Sequence, residues 1–265
     1  FNCSYCFAKN LVHNNISVTP EKINDICNYI EQDIKINNRQ DNSIVFFGGE
    51  PTLVPGIILD IIEKTSHLNL KYSIYTNGVL INELPEKLLS KLQTILVAID
   101  GNREIHEKYK PVGSYDKILN NILEIRKKTT AQIIARITLE EDSNIYTSVN
   151  NLLNTFDFVH WQIVNKPIFN NPQKFISSYS IDIQKLYNKW LSSLENGVIL
   201  NIIPFNRIVL SLLTEEQNTS FRCGCGSSIQ SIDINGNIYT CDEYIDSPKN
   251  SIGKVTDNNY NLIKY

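Results

Sequence analysis

Along most of the chain a short β-rich run is followed by a longer stretch with helical spacing of its apolar positions. The β-rich runs are IVFF (44–47), YSIYT (72–76), TILVAI (94–99), QIIARITL (132–139) and VHWQIV (159–164). Helices are predicted near 20–36, 53–66, 84–92, 115–128, 145–155 and 181–196. In the first, Thr19 can cap, Pro20 suits the opening turn, and Ile23, Ile26, Cys27, Ile30 and Ile34 share one face. The last carries Ile183, Leu186, Tyr187, Trp190, Leu191 and Leu194 on one stripe, with Gly197 placed to end it. Repeated strand–helix–strand units imply parallel strands with helices outside, in a barrel or an open doubly wound sheet. After about residue 205 the pattern gives way to Cys, Gly and Ser with short strands around a DINGN turn, and a boundary is expected there.

Composition narrows the function classes. The chain has 265 residues, 42% hydrophobic and 20% charged, enough to bury a core. A net charge of −3 gives no field that would draw nucleic acid or an anionic membrane surface. No apolar run approaches the ~20 residues of a membrane span, and no signal-peptide pattern opens the chain. A cytoplasmic protein with no membrane or nucleic-acid partner is expected. Methionine is absent, even at position 1, and the chain is expected to continue upstream of Phe1. The six cysteines cluster at the two ends: Cys3 and Cys6, then Cys223, Cys225 and Cys241, with Cys27 apart. Without a secretory signal, metal or redox use is a better expectation than disulfides.

Near the second end, Cys223 and Cys225 lie in a glycine-rich loop, where backbone can pass close to a bulky ligand. The hairpin SIDI–NG–NIYT, signalled by Asn235-Gly236, returns Cys241 toward them. Three thiols gathered this way suit iron–sulfur or zinc ligation, or are three buried free cysteines. At the strand ends, where parallel sheets bind ligands, IVFF runs into Gly48-Gly49-Glu50-Pro51, YSIYT into Asn77-Gly78, and TILVAI into Asp100-Gly101. Each turn can present backbone groups and one carboxylate or amide to a common centre. Asn77-Gly78 alone reads rather as an ordinary tight turn. Cys3 and Cys6 alone are compatible with zinc, a dithiol or a cluster.

Together, these motifs resemble the radical S-adenosylmethionine (SAM) superfamily. Cys3-Ser4-Tyr5-Cys6-Phe7 are similar to the last two cysteines and the aromatic of its Cys-x3-Cys-x2-Cys loop, with the first cysteine falling upstream of Phe1. The resemblance implies a partial (β/α)6 TIM-like barrel, an α/β fold, with a small C-terminal Cys-rich β-hairpin auxiliary-cluster domain. The expected division is 1–204 for the core and 205–265 for the auxiliary region. It implies that Cys3 and Cys6 hold a 4Fe–4S cluster and that Gly48, Gly49, Glu50 and Pro51 contact the SAM amino group. Asn77 and Asp100 would approach SAM at the next two strand ends, although Ala98 replaces a usual serine. Arg136 would pair with the SAM carboxylate or form a structural ion pair. His106 and Tyr109 are read as structural, and Phe7 and Tyr5 as shields of the cluster.

The segment from Cys225-Gly226 to Tyr239-Thr240-Cys241-Asp242 resembles the start of a SPASM or twitch auxiliary domain, with Cys223, Cys225 and Cys241 as candidate ligands of a second 4Fe–4S cluster. Either Cys223 or Cys225 can be the ligand there. Asp242 has the placement of a general base, or is a solvated hairpin-end carboxylate. The implied activity is reductive cleavage of SAM to a 5′-deoxyadenosyl radical that takes hydrogen from a peptide or protein. A reductase such as flavodoxin or ferredoxin would supply the electron. Maturation of a ribosomal peptide by a thioether or carbon–carbon crosslink is the first expectation, and sulfatase maturation the alternative. From another class, a non-catalytic metal-binding module stays open. A thioredoxin-like redox pair would need a much smaller fold.

Overall fold

β1 (Ser43–Phe46), β2 (Lys71–Thr76), β3 (Leu92–Ala98), β4 (Gln132–Leu139) and β5 (Phe158–Ile163) lie side by side in that order in one sheet. Each matches its predicted run to within two residues. The computed structural model describes residues 1, 3, 5, 6, 18–38, 41–165, 169–214, 223–226, 228–245 and 248–257. β4 pairs in parallel with both β3 and β5. A single parallel bridge, Val159 to Ile202, carries the pairing beyond β5. Helices separate every consecutive pair of strands: α2 (Pro55–Thr65), α3 (Glu86–Leu89), α4 (Arg103–Tyr109), α5 (Ser114–Ile125) and α6 (Ile145–Leu152). Sequential strand order with intervening helices is the arrangement of a partial (β/α) barrel. No helix among the described residues is long and apolar enough to cross a membrane.

Four helices depart from the sequence expectation. α4 was not predicted, because REIHEKY offers one apolar residue; Asn102 starts it by accepting from the Ile105 amide at 2.9 Å. α7 (Pro172–Glu195) begins well before residue 181, where Asn171 caps it through the Lys174 amide at 3.1 Å. α8 (Ile203–Leu213) follows it; its near-continuous apolar sequence shows no period, and no residue of it is fully buried. The predicted helix 84–92 shrinks to the single turn of α3, and Leu92 opens β3 instead. Gly197, at φ 77°, stands just past the end of α7, as expected.

The described residues gather into two compact units, each assembled from distant segments. One comprises Phe1–Cys6, Val45–Leu53 and Ser73–Glu215, the other Phe7–Ile44, Val54–Tyr72 and Glu216–Tyr265. In the first, alternation along the strands sorts the residues. Ile95, Val97, Ile133, Ala135, Ile137 and Val159 are essentially fully buried, as are Ile118, Ile122 and Ile125 of α5 and Val149 and Leu152 of α6. Burying each such isoleucine or leucine contributes roughly 1.5–3 kcal/mol. The intervening Leu96, Ala98, Ile134, Arg136, His160 and Gln162 stay half-buried on the opposite face of the sheet.

In the second unit, α1 (Pro20–Asn37) is capped by Thr19, whose hydroxyl accepts from the Lys22 amide at 3.4 Å. Its Tyr29 packs with Ile238 and Val255, with Ile26, Ile30 and Ile232 around them, and its hydroxyl donates to Gln230 at 2.7 Å. β6 (Ser231–Ile232), β7 (Asn237–Tyr239) and β8 (Gly253–Lys254) form a three-stranded antiparallel sheet. The predicted hairpin is therefore present, with a third strand added. Its loop holds three residues rather than two, closed by Asp233 and Asn237, with Gly236 at φ 80°. Asp233 organises it, accepting from the amides of Asn235 and Asn237 at 2.8 and 2.9 Å.

Candidate active site at the strand ends

Cys3, Tyr5 and Cys6 belong to the first unit, and the Cys6 amide donates to the Cys3 carbonyl at 3.2 Å in a tight turn. All three side chains are half-buried. Burial pushes the Cys3 thiol above its usual range, and the Lys110 ammonium offsets part of that rise. Phe7 lies outside the described residues.

After β1, Gly48 adopts φ 149°, and a Cβ added at either Gly48 or Gly49 would meet nothing within 4 Å among the described residues. Pro51 is buried at the start of a 3₁₀ turn, and Glu50 is anchored beside it. Its Oε1 accepts from the Thr52 amide at 3.1 Å, the Thr52 hydroxyl at 2.6 Å and the Thr76 hydroxyl at 2.7 Å. Among the described residues its Oε2 accepts only from the Asn77 amide, at 2.8 Å. Asn77 in turn accepts from the Val79 amide through Oδ1 at 2.9 Å. Gly78, at φ 79°, is required there, since a Cβ would sit 2.9 Å from Val97 and 3.2 Å from Ile118.

Asp100 closes β3 in a different manner. It is 1% exposed, and its partner Lys110 is buried to the same degree. Oδ2 accepts from Lys110 Nζ and from the Tyr5 hydroxyl, the latter at 2.5 Å, while Oδ1 accepts from the Thr138 amide at 3.0 Å. Lys110 also donates to the Tyr5 hydroxyl. The Asp100 amide donates to His106 Nδ1 at 3.1 Å, and the other ring nitrogen of His106 meets the Ser114 hydroxyl at 3.0 Å. His106 is fully buried, and burial, with the Lys110 charge, pushes its pKa down to about 4. The neutral ring is a structural link, as expected. Tyr109 donates to Asp142 at 2.5 Å, also a structural contact.

Arg136 projects from the half-buried face of β4. Its guanidinium meets His160 Nδ1 and donates to Gln162 Oε1, both on β5. Burial, together with the Arg136 charge, pushes His160 down to about 4. Both of these partners are thus neutral. Lys110, Thr76, His160 and Gln162 are additions to the site that sequence reasoning missed. Only Lys110 had a signal, as the last residue of HEKYK in a stretch the resemblance already covered.

In the second unit, the Gly226 amide donates to the carbonyls of Ile229 and Thr240, each at 3.2 Å, tying the glycine-rich loop to the residue before Cys241. Burial pushes the Cys241 thiol up to about 11, and Asp242 and Cys225 add to the rise. The Cys241 thiol donates to Asp242 Oδ1 at 3.3 Å. Cys225 and Cys241 are half-buried, whereas Cys223 is exposed. Among the described residues, no three His, Cys, Asp or Glu side chains converge as a metal site. Two open clefts, of about 400 and 320 Å³, lie around Arg126, Gln132 and Asp157 and around Asn150, Lys189 and Asn201. They flank the starts of β4 and β5, at the opposite ends of these strands from Asp100 and Arg136.

Comparison with known proteins bears on the whole arrangement. The profile of the Radical SAM superfamily matches residues 1–140. A cysteine-type anaerobic sulfatase-maturating enzyme of Clostridium novyi is 27% identical over 265 residues, 92% of this chain and 70% of that protein. The radical SAM cyclopropyl synthase TigE of Paramaledivibacter caminithermalis is 28% identical over 264 residues, 91% of this chain but only 54% of that protein. Among solved structures, native anSMEcpe with bound AdoMet superposes with a TM-score of 0.76 at 19% identity, covering 97% of this chain and 74% of that one. Streptococcus suis SuiB bound to the precursor peptide SuiA gives 0.62 at 16% identity, covering 96% and 60%. These two establish likeness of fold.

Proposed function

The chain belongs to the radical SAM superfamily, and from that premise we propose that it abstracts hydrogen from a peptide or protein, as a maturase of ribosomal peptides. Members of the superfamily use a 4Fe–4S cluster and SAM. The donor chemistry here fits both. Cys3 and Cys6 offer two soft sulfurs one turn apart, open space faces Gly48 and Gly49, and Arg136 is a guanidinium held by neutral partners. Bound there, such a cluster would supply the electron for reductive cleavage of SAM. In this reading Cys3 and Cys6 hold the cluster, Glu50 Oε2 and the Gly48–Gly49 backbone receive the SAM ammonium, and Arg136 receives its carboxylate. Pro51 stiffens the turn that aims Glu50. Asn77 steadies Glu50 through its amide, and Asp100 acts from beneath, through its partners.

The observation that carries this reading is the assembly of Cys3, Glu50, Asn77, Asp100 and Arg136 within one compact unit, around a sheet matched by the superfamily profile. Residues 205–265 form the auxiliary region of the proposal, with Cys225 and Cys241 its better-placed ligands and Cys223 the outlying one. No step is derived through a second cluster. The peptide substrate rests on the relatives, which include a sulfatase-maturating enzyme and a cyclopropyl synthase. A second reading, formylglycine formation on a sulfatase, is favoured by the 70% coverage of the Clostridium relative and by Asp242, a candidate base beside Cys241. In both readings a flavodoxin or ferredoxin supplies the electron.

The test is anaerobic incubation with SAM, reductant, and either candidate precursor peptides or a sulfatase-derived peptide. Peptide maturation predicts 5′-deoxyadenosine and a crosslinked product lighter by two hydrogens. Sulfatase maturation predicts an aldehyde that a hydrazide captures. Zinc binding without any 5′-deoxyadenosine would overturn both and leave a metal-binding module.

A further inference from the structure

We propose that the buried Asp100–Lys110 pair is a positioning device for the Cys3–Cys6 loop, acting through the hydroxyl of Tyr5. The inference rests on the reading of Cys3 and Cys6 as cluster ligands. Two opposite charges, each 1% exposed, are withdrawn from water. Such a pair is weak evidence for stability and is retained where its geometry is needed. Here the geometry points to the loop.

Asp100 is fixed from three elements. It ends β3, its Oδ1 accepts from the Thr138 amide of β4, and its own amide donates to His106 of α4. Lys110 follows α4 directly and reaches back to Oδ2. That leaves one participant from outside the barrel framework. Tyr5 stands between the two thiols in sequence, donates to Asp100 Oδ2 and accepts from Lys110. Its ring packs against Tyr109 at 5.9 Å between centroids. The hydroxyl therefore has both its donor and acceptor roles taken by an ion pair that cannot move without disturbing two strands and a helix. A loop carrying cluster ligands needs this kind of support, since partners behind a metal ligand set its orientation and hold. Tyr5 is accordingly a positioning residue as well as a shield.

Tyr5→Phe deletes the hydroxyl and leaves the ring packing and the Asp100–Lys110 pair intact. In the anaerobically reconstituted enzyme, we expect the variant to lose iron to a chelator about tenfold faster than wild type, followed by the decay of the cluster's visible absorbance. The melting temperature of the iron-free protein should stay within about 2 °C of wild type. The double variant Asp100→Asn/Lys110→Met removes both charges together, leaves no unpaired one, and should accelerate iron loss similarly. Iron loss from Tyr5→Phe at the wild-type rate overturns the inference, whatever the double variant does. Faster loss with a matching fall in the iron-free melting temperature also overturns it, since that marks a merely structural role. Wild-type protein that takes up no iron would instead overturn the ligand reading beneath it.

Discussion

Cys3 and Cys6 border a buried network of charges, whereas Cys223 stands exposed in a glycine-rich loop and, among the described residues, Cys225 acts on the half-buried Cys241. In the same unit as the first pair, Glu50 receives four donors, Asp100 engages four groups, and Arg136 is gripped by two neutral acceptors. Around the second group, order comes from a hairpin whose organiser, Asp233, bonds its own turn. The difference is one of preorganisation. The strand-end site is held by groups that exist for one another before any ligand arrives, while the hairpin brings thiols near without fixing all of them.

The sharpest way to break this contrast is to remove a thiol from each region. Cys3→Ala or Cys6→Ala should abolish reductive SAM cleavage, read as 5′-deoxyadenosine in single-turnover assays. SAM cleavage that persists in both variants would remove the strand-end site from the chemistry. Next comes acid sensitivity. His106 titrates near 6.5 when unfolded and at about 4 when folded, so the unfolded chain takes up the proton first as pH falls. Stability should be intact above pH 6.5 and decline down through about pH 4, by on the order of 3 kcal/mol, measured by denaturant titration. His106→Gln should flatten that profile, and an unchanged slope would show that the ring is not the cause.

Smaller effects probe the turns. Gly101→Ala must accommodate φ 69° and a Cβ 2.2 Å from the Ser148 hydroxyl and 2.9 Å from its Cα, a cost of about 2–3 kcal/mol. Glu50→Ala strands the Thr52, Thr76 and Asn77 donors and should cost about 2 kcal/mol along with SAM affinity measured by calorimetry. The smallest effect is expected from Cys223→Ser. Iron content should be nearly unchanged, whereas Cys225→Ser and Cys241→Ser should each lower it. Equal losses from all three would erase the distinction between the two cysteines of the Cys-x-Cys pair.

Much of the barrel was legible because period-two alternation and strand-end turns are local signals. QIIARITL could be placed to the residue, and Gly48-Gly49-Glu50 could be singled out as a turn presenting a carboxylate. The partners were less legible. Nothing local says that Lys110 folds back on Asp100 or that Tyr5, 95 positions away, joins them. His160 and Gln162 became visible only once β5 lay in register beside β4, opposite Arg136 and Thr138. α4 was hidden because a short helix secured by a cap and one buried histidine needs no apolar stripe. The three-residue loop around Gly236 was misjudged because Asn235-Gly236 signals a two-residue turn, and Asp233 decides the outcome.

The bond from Tyr29 to Gln230 spans 201 positions. During synthesis at about 5–20 residues per second, α1 leaves the ribosome roughly 10–40 s before the hairpin that completes its core. For that interval the face carrying Tyr29, Ile26 and Ile30 has no Ile238 or Val255 to cover it. The strands of the other unit emerge in order and can pair with their predecessors as they come. Nascent chains should therefore show a chaperone-binding segment at α1 that disappears only once synthesis has passed Val255.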